Sequence, residues 1–198
     1  MERHFLITLV FSLFIITSCQ TQKIDEPPPV EVKTSFSLEV TIPKKPPKNV
    51  WEHIIVNSDN KDEIFLDKKT SYFLNSHLRN KKELNDYLNK SYYFIYYVTQ
   101  ELEAANLPVE LALIPFIESN YDPFSISPSG AVGLWQFMPK TGRLYNLEKS
   151  WWNEDRHDPF RSTHAAIGYF KYLFERFDND IYLALAAYNA GPTYLERQ

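Results

Sequence analysis

The 198-residue sequence contains one cysteine, two methionines and five glycines, and each scarcity excludes something. A lone thiol, Cys19, rules out an intramolecular disulfide. All five glycines lie between Gly130 and Gly191, so the special backbone geometry that glycine permits is concentrated in the second half. Basic residues are not in excess. A formal net charge of −4 argues against a nucleic-acid-binding protein. Long apolar runs are missing too: the longest, Phe5 to Ile16, is too short for an ordinary membrane span. Aromatic residues, by contrast, make up 16% of the chain and hydrophobic residues 44%, enough for the core of one domain and a short tail.

In chain order, residues 1–18 read as an export signal, with Arg3 just before the apolar run. Ile16-Thr17-Ser18-Cys19 resembles a bacterial lipoprotein processing box. That resemblance implies cleavage before Cys19, lipidation of its thiol, and a protein anchored to the membrane rather than spanning it. Gln20 after the cysteine points to the periplasmic face of the outer membrane. Residues 19–50 carry Pro27-Pro28-Pro29, Pro43, Pro46 and Pro47, a composition expected to give a disordered, extended tether. Ser35 to Val40 alternates like an edge strand.

The remainder reads as helices. Residues 51–84 are expected to form a helical extension, and a helix from Leu84 to Ala105 has Leu88, Tyr92, Ile95, Val98 and Leu102 at helical spacing. Pro108 to Ser119 reads as one helix with Leu111, Ile114 and Ile117 on one side and a kink at Pro115. Lys140 to Asn146 is a short helix. Asn153 to Pro159 is a salt-bridged turn, Phe160 to Phe177 is a helix capped by Ser162-Thr163, and Ile181 to Asn189 is capped by Asp180. Gly191 and Pro192 suit its end.

Glu118 stands apart from this pattern. Between Leu111 and Pro139 the only carboxylates are Glu118 and Asp122, and no Lys, Arg or His is present. A carboxylate closing an apolar run loses hydration, which raises its pKa. A carboxylic acid still protonated near neutrality can act as a general acid. Downstream, Gly130 and Gly133 followed by Trp135, Gln136, Phe137 and Met138 suit a groove for a neutral polar ligand.

These residues carry a family resemblance. Glu118-Ser119, Pro123, Ser127-Pro128, Gly130-Ala131, Gly133-Leu134, Gln136, Met138-Pro139 and Thr141 resemble the signature of the lytic transglycosylases of the lysozyme-like superfamily. Ala187-Tyr188-Asn189-Ala190-Gly191 resembles the second motif of that family. Trp135 and the Asp-x-Arg-x-Asp-Pro-type turn ending at Pro159 are most similar to the membrane-bound lytic murein transglycosylase D branch. Asn146, in place of the usual glycine, and Asn153-Glu154, in place of a more apolar lead-in, depart from it.

The resemblance implies an all-α, lysozyme-like catalytic domain over residues 85–198, shortened at its carboxyl end, acting on peptidoglycan glycan strands. It implies that Glu118 is the single acid/base and that Ser127 hydrogen-bonds it. Gln136 and Met138 would lie around the reacting sugar, with Tyr188 and Asn189 in the second motif. No cofactor or metal is expected, because Asp155 and Asp158 lack the spacing of a metal site. Two alternatives stand beside this reading. One is a hydrolytic muramidase in which Asp122 or Asp155 directs water. The other is a non-catalytic glycan-binding envelope lipoprotein.

Overall fold

A computed structural model describes residues 50–58, 71, 72, 75 and 79–197. The export signal, Cys19, the proline-rich tether and the edge strand read at 35–40 lie outside the described residues. The described chain is helical, as expected. It comprises α1 (Val50–Asn57), α2 (Lys81–Ser91), α3 (Ile95–Ala104), a 3₁₀ turn (Val109–Leu113), α4 (Ile114–Ser119), α5 (Pro139–Leu144), a second 3₁₀ turn (Asp155–His157), α6 (Pro159–Arg176), α7 (Ile181–Ala190) and α8 (Pro192–Leu195). Strand pairing among the described residues is limited to isolated bridges: Ile126 with Val132, Val132 with Phe137, and Lys149 with Glu154.

The described residues divide into two compact units. One holds 50–58 and 89–168; the other holds the described part of 71–88 and 169–197. In the first, α3 buries Ile95, Val98, Thr99 and Leu102, the stripe that its spacing predicts apart from Thr99. Thr99 satisfies its hydroxyl by donating to the carbonyl of Ile95 at 2.7 Å. Helix α1 packs on α3 and on the Val109–Leu113 turn. His53 Nε2 meets Glu103 Oε1 at 2.7 Å, and Trp51 lies 5.5 Å from Phe116 between ring centres.

Three local expectations are corrected. The helix expected from Leu84 to Ala105 is broken at 92–94, where Tyr92 N bonds Asn89 O and Phe94 N bonds Ser91 O. Tyr92-Tyr93-Phe94 is a run of poor helix formers, and Tyr92 is 67% exposed instead of lying on the packed face. The segment 108–119 is not one kinked helix. It changes from 3₁₀ to α at Ile114, which puts Pro115 in a first turn, where its missing N–H costs nothing. Asp158, not Ser162-Thr163, caps α6, accepting from the backbone N–H of Phe160 (2.8 Å) and Arg161 (3.0 Å). The Ser162 and Thr163 hydroxyls instead donate back to the carbonyls of Asp158 and Pro159.

In the second unit, α6 buries Tyr169, Phe170, Leu173 and Phe174, and α7 buries Ala184 and Ala187. Asp180 caps α7 by accepting from Tyr182 N and Leu183 N, as expected. Gly191 ends the helix at φ 89°, and Pro192 opens α8. Arg176 forks onto both carboxylate oxygens of Glu196 at 2.6 Å.

Candidate active site

Glu118 is the penultimate residue of α4. Asn120 follows in the left-handed region (φ 53°, ψ 36°) and stops the helix, as an asparagine at that position favours. Tyr121 is also left-handed, at φ 58°. This double reversal turns the Tyr121 ring into the core, where it is 1% exposed and its hydroxyl donates to the carbonyl of Ala112 at 2.6 Å. The ring also meets Phe116 edge-on at 4.6 Å. The helix end is thus fixed on both sides of the acid.

Glu118 itself is half-buried, and burial pushes its carboxyl up to about 7. No hydrogen bond or ion pair engages that carboxyl among the described residues. A protonated carboxyl with no internal partner has its proton available for a ligand.

The loop after α4 is a compact double turn. Asp122 accepts from Phe124 N at 2.9 Å, Ser127 and Ala131 pair, and Val132 and Phe137 exchange two backbone hydrogen bonds of 3.1 Å each. Gly133, at φ +84°, carries the tightest approach: a Cβ there would lie 1.8 Å from the Arg156 carbonyl oxygen. Only glycine satisfies both the conformation and the space.

Ser119 joins the loop to α4. Its buried hydroxyl lies 3.1 Å from the Pro115 carbonyl, one turn back, and 2.8 Å from the carbonyl of Leu134. The segment bearing Glu118 is therefore hydrogen-bonded to the segment bearing Gln136. The sequence signal for Ser119 was its adjacency to the acid; its bridging role was not legible there.

Gln136 is half-buried with φ 50°, and its Nε2 donates to the carbonyls of Gly133 (2.8 Å) and Ser125 (3.2 Å). Its amide nitrogen shapes the loop. Met138 is half-buried and precedes α5 as its N-cap residue. Trp135, expected in the groove, is a core residue instead: it is 1% exposed, and its indole N–H donates to Thr163 Oγ1 at 3.0 Å. Phe137 is buried as well. Ser127 differs from what the resemblance implies. Its hydroxyl pairs with Ser129 Oγ and accepts from Ala131 N, both at 2.9 Å, and makes no hydrogen bond with Glu118.

Arg156 is the residue that sequence reasoning undervalued. It is 3% exposed and braces the whole loop. Nη1 donates to the carbonyls of Phe137 (2.8 Å) and Gly130 (3.1 Å), while Nε and Nη2 fork onto Glu154 at 2.7 and 2.8 Å. That fork is the main cause that holds the Glu154 carboxyl down to about 2. Asp155 is equally committed, to Arg161, Asn153 and the N–H of Glu148. The salt-bridged turn read at 153–159 is thus present. No group of three or more His, Cys, Asp or Glu residues suited to a metal occurs among the described residues.

Tyr188 and Asn189 belong to the second unit, on α7. The Tyr188 ring stacks on Phe170 at 4.7 Å and 9° and lies 5.6 Å from Tyr169; Asn189 is exposed.

Comparison with known proteins agrees with this geometry. Residues 96–198 match the transglycosylase SLT domain, and the chain belongs to that family. The helical domain is accordingly lysozyme-like. A protein of Alteromonas sp. (strain M-1), named for tributyltin chloride resistance, is 43% identical over 98 residues, covering 50% of this chain and 47% of the relative. Membrane-bound lytic murein transglycosylase D of Escherichia coli (strain K12) is 38% identical over 115 residues, 58% of this chain and 25% of that protein. Membrane-bound lytic murein transglycosylase F of Alcanivorax borkumensis is 36% identical over 92 residues, 43% of this chain and 18% of that protein. The matched stretches thus span less than half the length of these relatives.

Proposed function

We propose that this chain is a lytic transglycosylase of peptidoglycan. It cleaves the β-1,4 bond between N-acetylmuramic acid and N-acetylglucosamine without water and leaves a 1,6-anhydromuramoyl end. The observation that carries the reading is Glu118, a half-buried carboxyl raised to about 7 near the end of α4, within the stretch that matches the transglycosylase SLT domain. Glycosidic cleavage needs a proton for the leaving oxygen and stabilisation of an oxocarbenium-like centre. Glu118 gives its proton to the bridging oxygen as the bond to the muramoyl C1 breaks. The resulting carboxylate then takes the proton of the muramoyl 6-hydroxyl, whose oxygen closes on C1, and the acid is restored. The 2-acetamido group assists at C1. Gln136, Met138 and Ser127 position the sugars around that centre.

The engagement of the other acids supports an intramolecular route over hydrolysis. Asp122 Oδ1 accepts from Phe124 N, and its Oδ2 lies 3.9 Å from Lys90 Nζ. Asp155 is buried among Arg161, Asn153 and Glu148 N. Both carboxyls thus already have partners, which favours a route that needs no second carboxylate.

The chain further reads as a lipid-anchored protein of the cell envelope, tethered through Cys19 at the periplasmic face of the outer membrane. Several relatives, the Escherichia coli and Alcanivorax borkumensis proteins among them, are named membrane-bound. The deciding experiment is mass spectrometry of products from purified peptidoglycan, comparing the parent with Glu118→Gln. Anhydro ends that vanish in the variant are expected. Reducing ends would make the protein a muramidase, and strand binding without turnover would make it a glycan-binding lipoprotein.

A further inference from the structure

Trp151 is 95% exposed and Trp152 74% exposed. Two adjacent indoles in water are unusual, because tryptophan gains most from burial. The segment that carries them is not loose. Ser150 N donates to Asn153 O at 2.7 Å, and the Ser150 hydroxyl accepts from Trp152 N (3.4 Å) and Asn153 N (3.1 Å). Below the tip, Lys149 and Glu154 form a bridge, and Asp155 N donates to Glu148 O at 2.9 Å. The two tryptophans therefore sit at the tip of a tight two-residue turn whose base is closed on both sides.

The turn is continuous with the site. Four residues after Trp152 comes Arg156, which holds the carbonyls of Gly130 and Phe137 and presses its own carbonyl on Gly133. Four residues of extended chain reach at most about 14 Å, so the tip stands within that distance of the residue bracing the Gln136 loop. A polymer held at that loop passes close to the turn.

Charge discriminates between two occupants that tryptophan suits, a sugar polymer and a bilayer surface. Interfacial membrane sites add basic residues that attract anionic headgroups. Here Lys149, at the base, is ion-paired with Glu154 at 3.2 Å, the buried Arg156 is forked onto the same carboxylate, and Glu148 adds an exposed acid. A pyranose ring needs no such charge. Its axial C–H groups form an apolar face that lies on the negative face of an indole. A pre-ordered turn presents that face with little entropy left to lose.

We propose that the Trp151–Trp152 turn is an auxiliary glycan site, stacking pyranose rings of a β-1,4-linked N-acetylhexosamine strand beyond those at Glu118. This rests on the peptidoglycan reading above. The test measures binding in the full chain carrying Glu118→Gln, so that turnover plays no part. The probes are peptide-free peptidoglycan strands and, as a neutral analogue, an oligomer of β-1,4-linked N-acetylglucosamine. The double substitution Trp151→Ala, Trp152→Ala is expected to weaken affinity for both by about tenfold or more at an unchanged Tm. Equal affinity in parent and double variant would overturn the proposal. So would unchanged strand affinity accompanied by lost partitioning onto phosphatidylethanolamine–phosphatidylglycerol vesicles, which would assign the turn to the membrane. Failure of the catalytic reading shows up elsewhere, as anhydro ends persisting in Glu118→Gln, and does not alter this comparison.

Discussion

The Ser119 hydroxyl and the Leu134 carbonyl lie 2.8 Å apart, in a buried bond between the residue next to Glu118 and the loop that carries Gln136. Removing the hydroxyl leaves a buried carbonyl short of a donor. Ser119→Ala is therefore expected to cost about 1–3 kcal/mol, measured by urea denaturation. The variant should also lose turnover at temperatures where it remains folded, because the acid is no longer registered to the loop.

The raised Glu118 carboxyl sets a pH dependence with a definite sign. The reaction starts from the protonated acid, so kcat/KM is level on the acid side and falls above about 7, approaching tenfold per pH unit. The pH profile on soluble glycan strands checks this.

The same residue links pH to stability. Folded and unfolded chains both hold the proton below the ordinary value of 4.5, whereas only the folded state is penalised by the charge above about 7. The contribution is thus full in acid and is lost as pH rises through that window, roughly 3 kcal/mol at most. Glu118→Gln carries no charge. It should match the parent near the acid end and exceed its stability at about pH 8, as thermal unfolding would show.

Arg156 makes the opposite kind of contribution. Its fork keeps Glu154 ionised, and that stabilisation is present above the ordinary carboxylate range and is lost as pH falls through about 2. Arg156→Met leaves the Glu154 carboxylate with Lys149 alone and takes a donor from the carbonyls of Gly130 and Phe137. A loss of about 3–5 kcal/mol is expected near neutrality, shrinking in strong acid, by denaturant titration at the two pH values.

Two glycines with nearly the same backbone should respond differently. Gly130 has φ +87° and nothing within 4 Å of where a Cβ would stand, whereas a Cβ on Gly133 would meet the Arg156 carbonyl at 1.8 Å. Gly130→Ala is expected to cost only the left-handed strain of about 1–2 kcal/mol. Gly133→Ala should exceed about 4 kcal/mol and yield little soluble protein. Expression and Tm of the pair separate strain from collision.

Much of this was legible because it rests on local chemistry. Asn120 ends α4, Asp180 caps α7 and Gly191 closes it for reasons contained within a few residues. The raised pKa of Glu118 followed from an apolar run without cations. What misled were residues with competing partners, one distant in sequence and others close by. Trp135 reads as a groove aromatic until Thr163, 28 positions on, takes its N–H. Ser162 and Thr163 look like caps, but Asp158 lies nearer the helix start and competes successfully for its free N–H groups. Ser127 is drawn to Ser129 and Ala131 within its own turn. The break at Tyr92–Phe94 was hidden by hydrophobic periodicity, which continues across a helix break as readily as through a helix.

The bond from the Tyr121 hydroxyl to the Ala112 carbonyl closes a ring of chain around Glu118. Residues 112 to 121 accordingly behave as a single cassette. Anyone transplanting this acid to another scaffold must move the cassette whole, and the recipient must offer the Ser119 hydroxyl one outside acceptor in place of the Leu134 carbonyl.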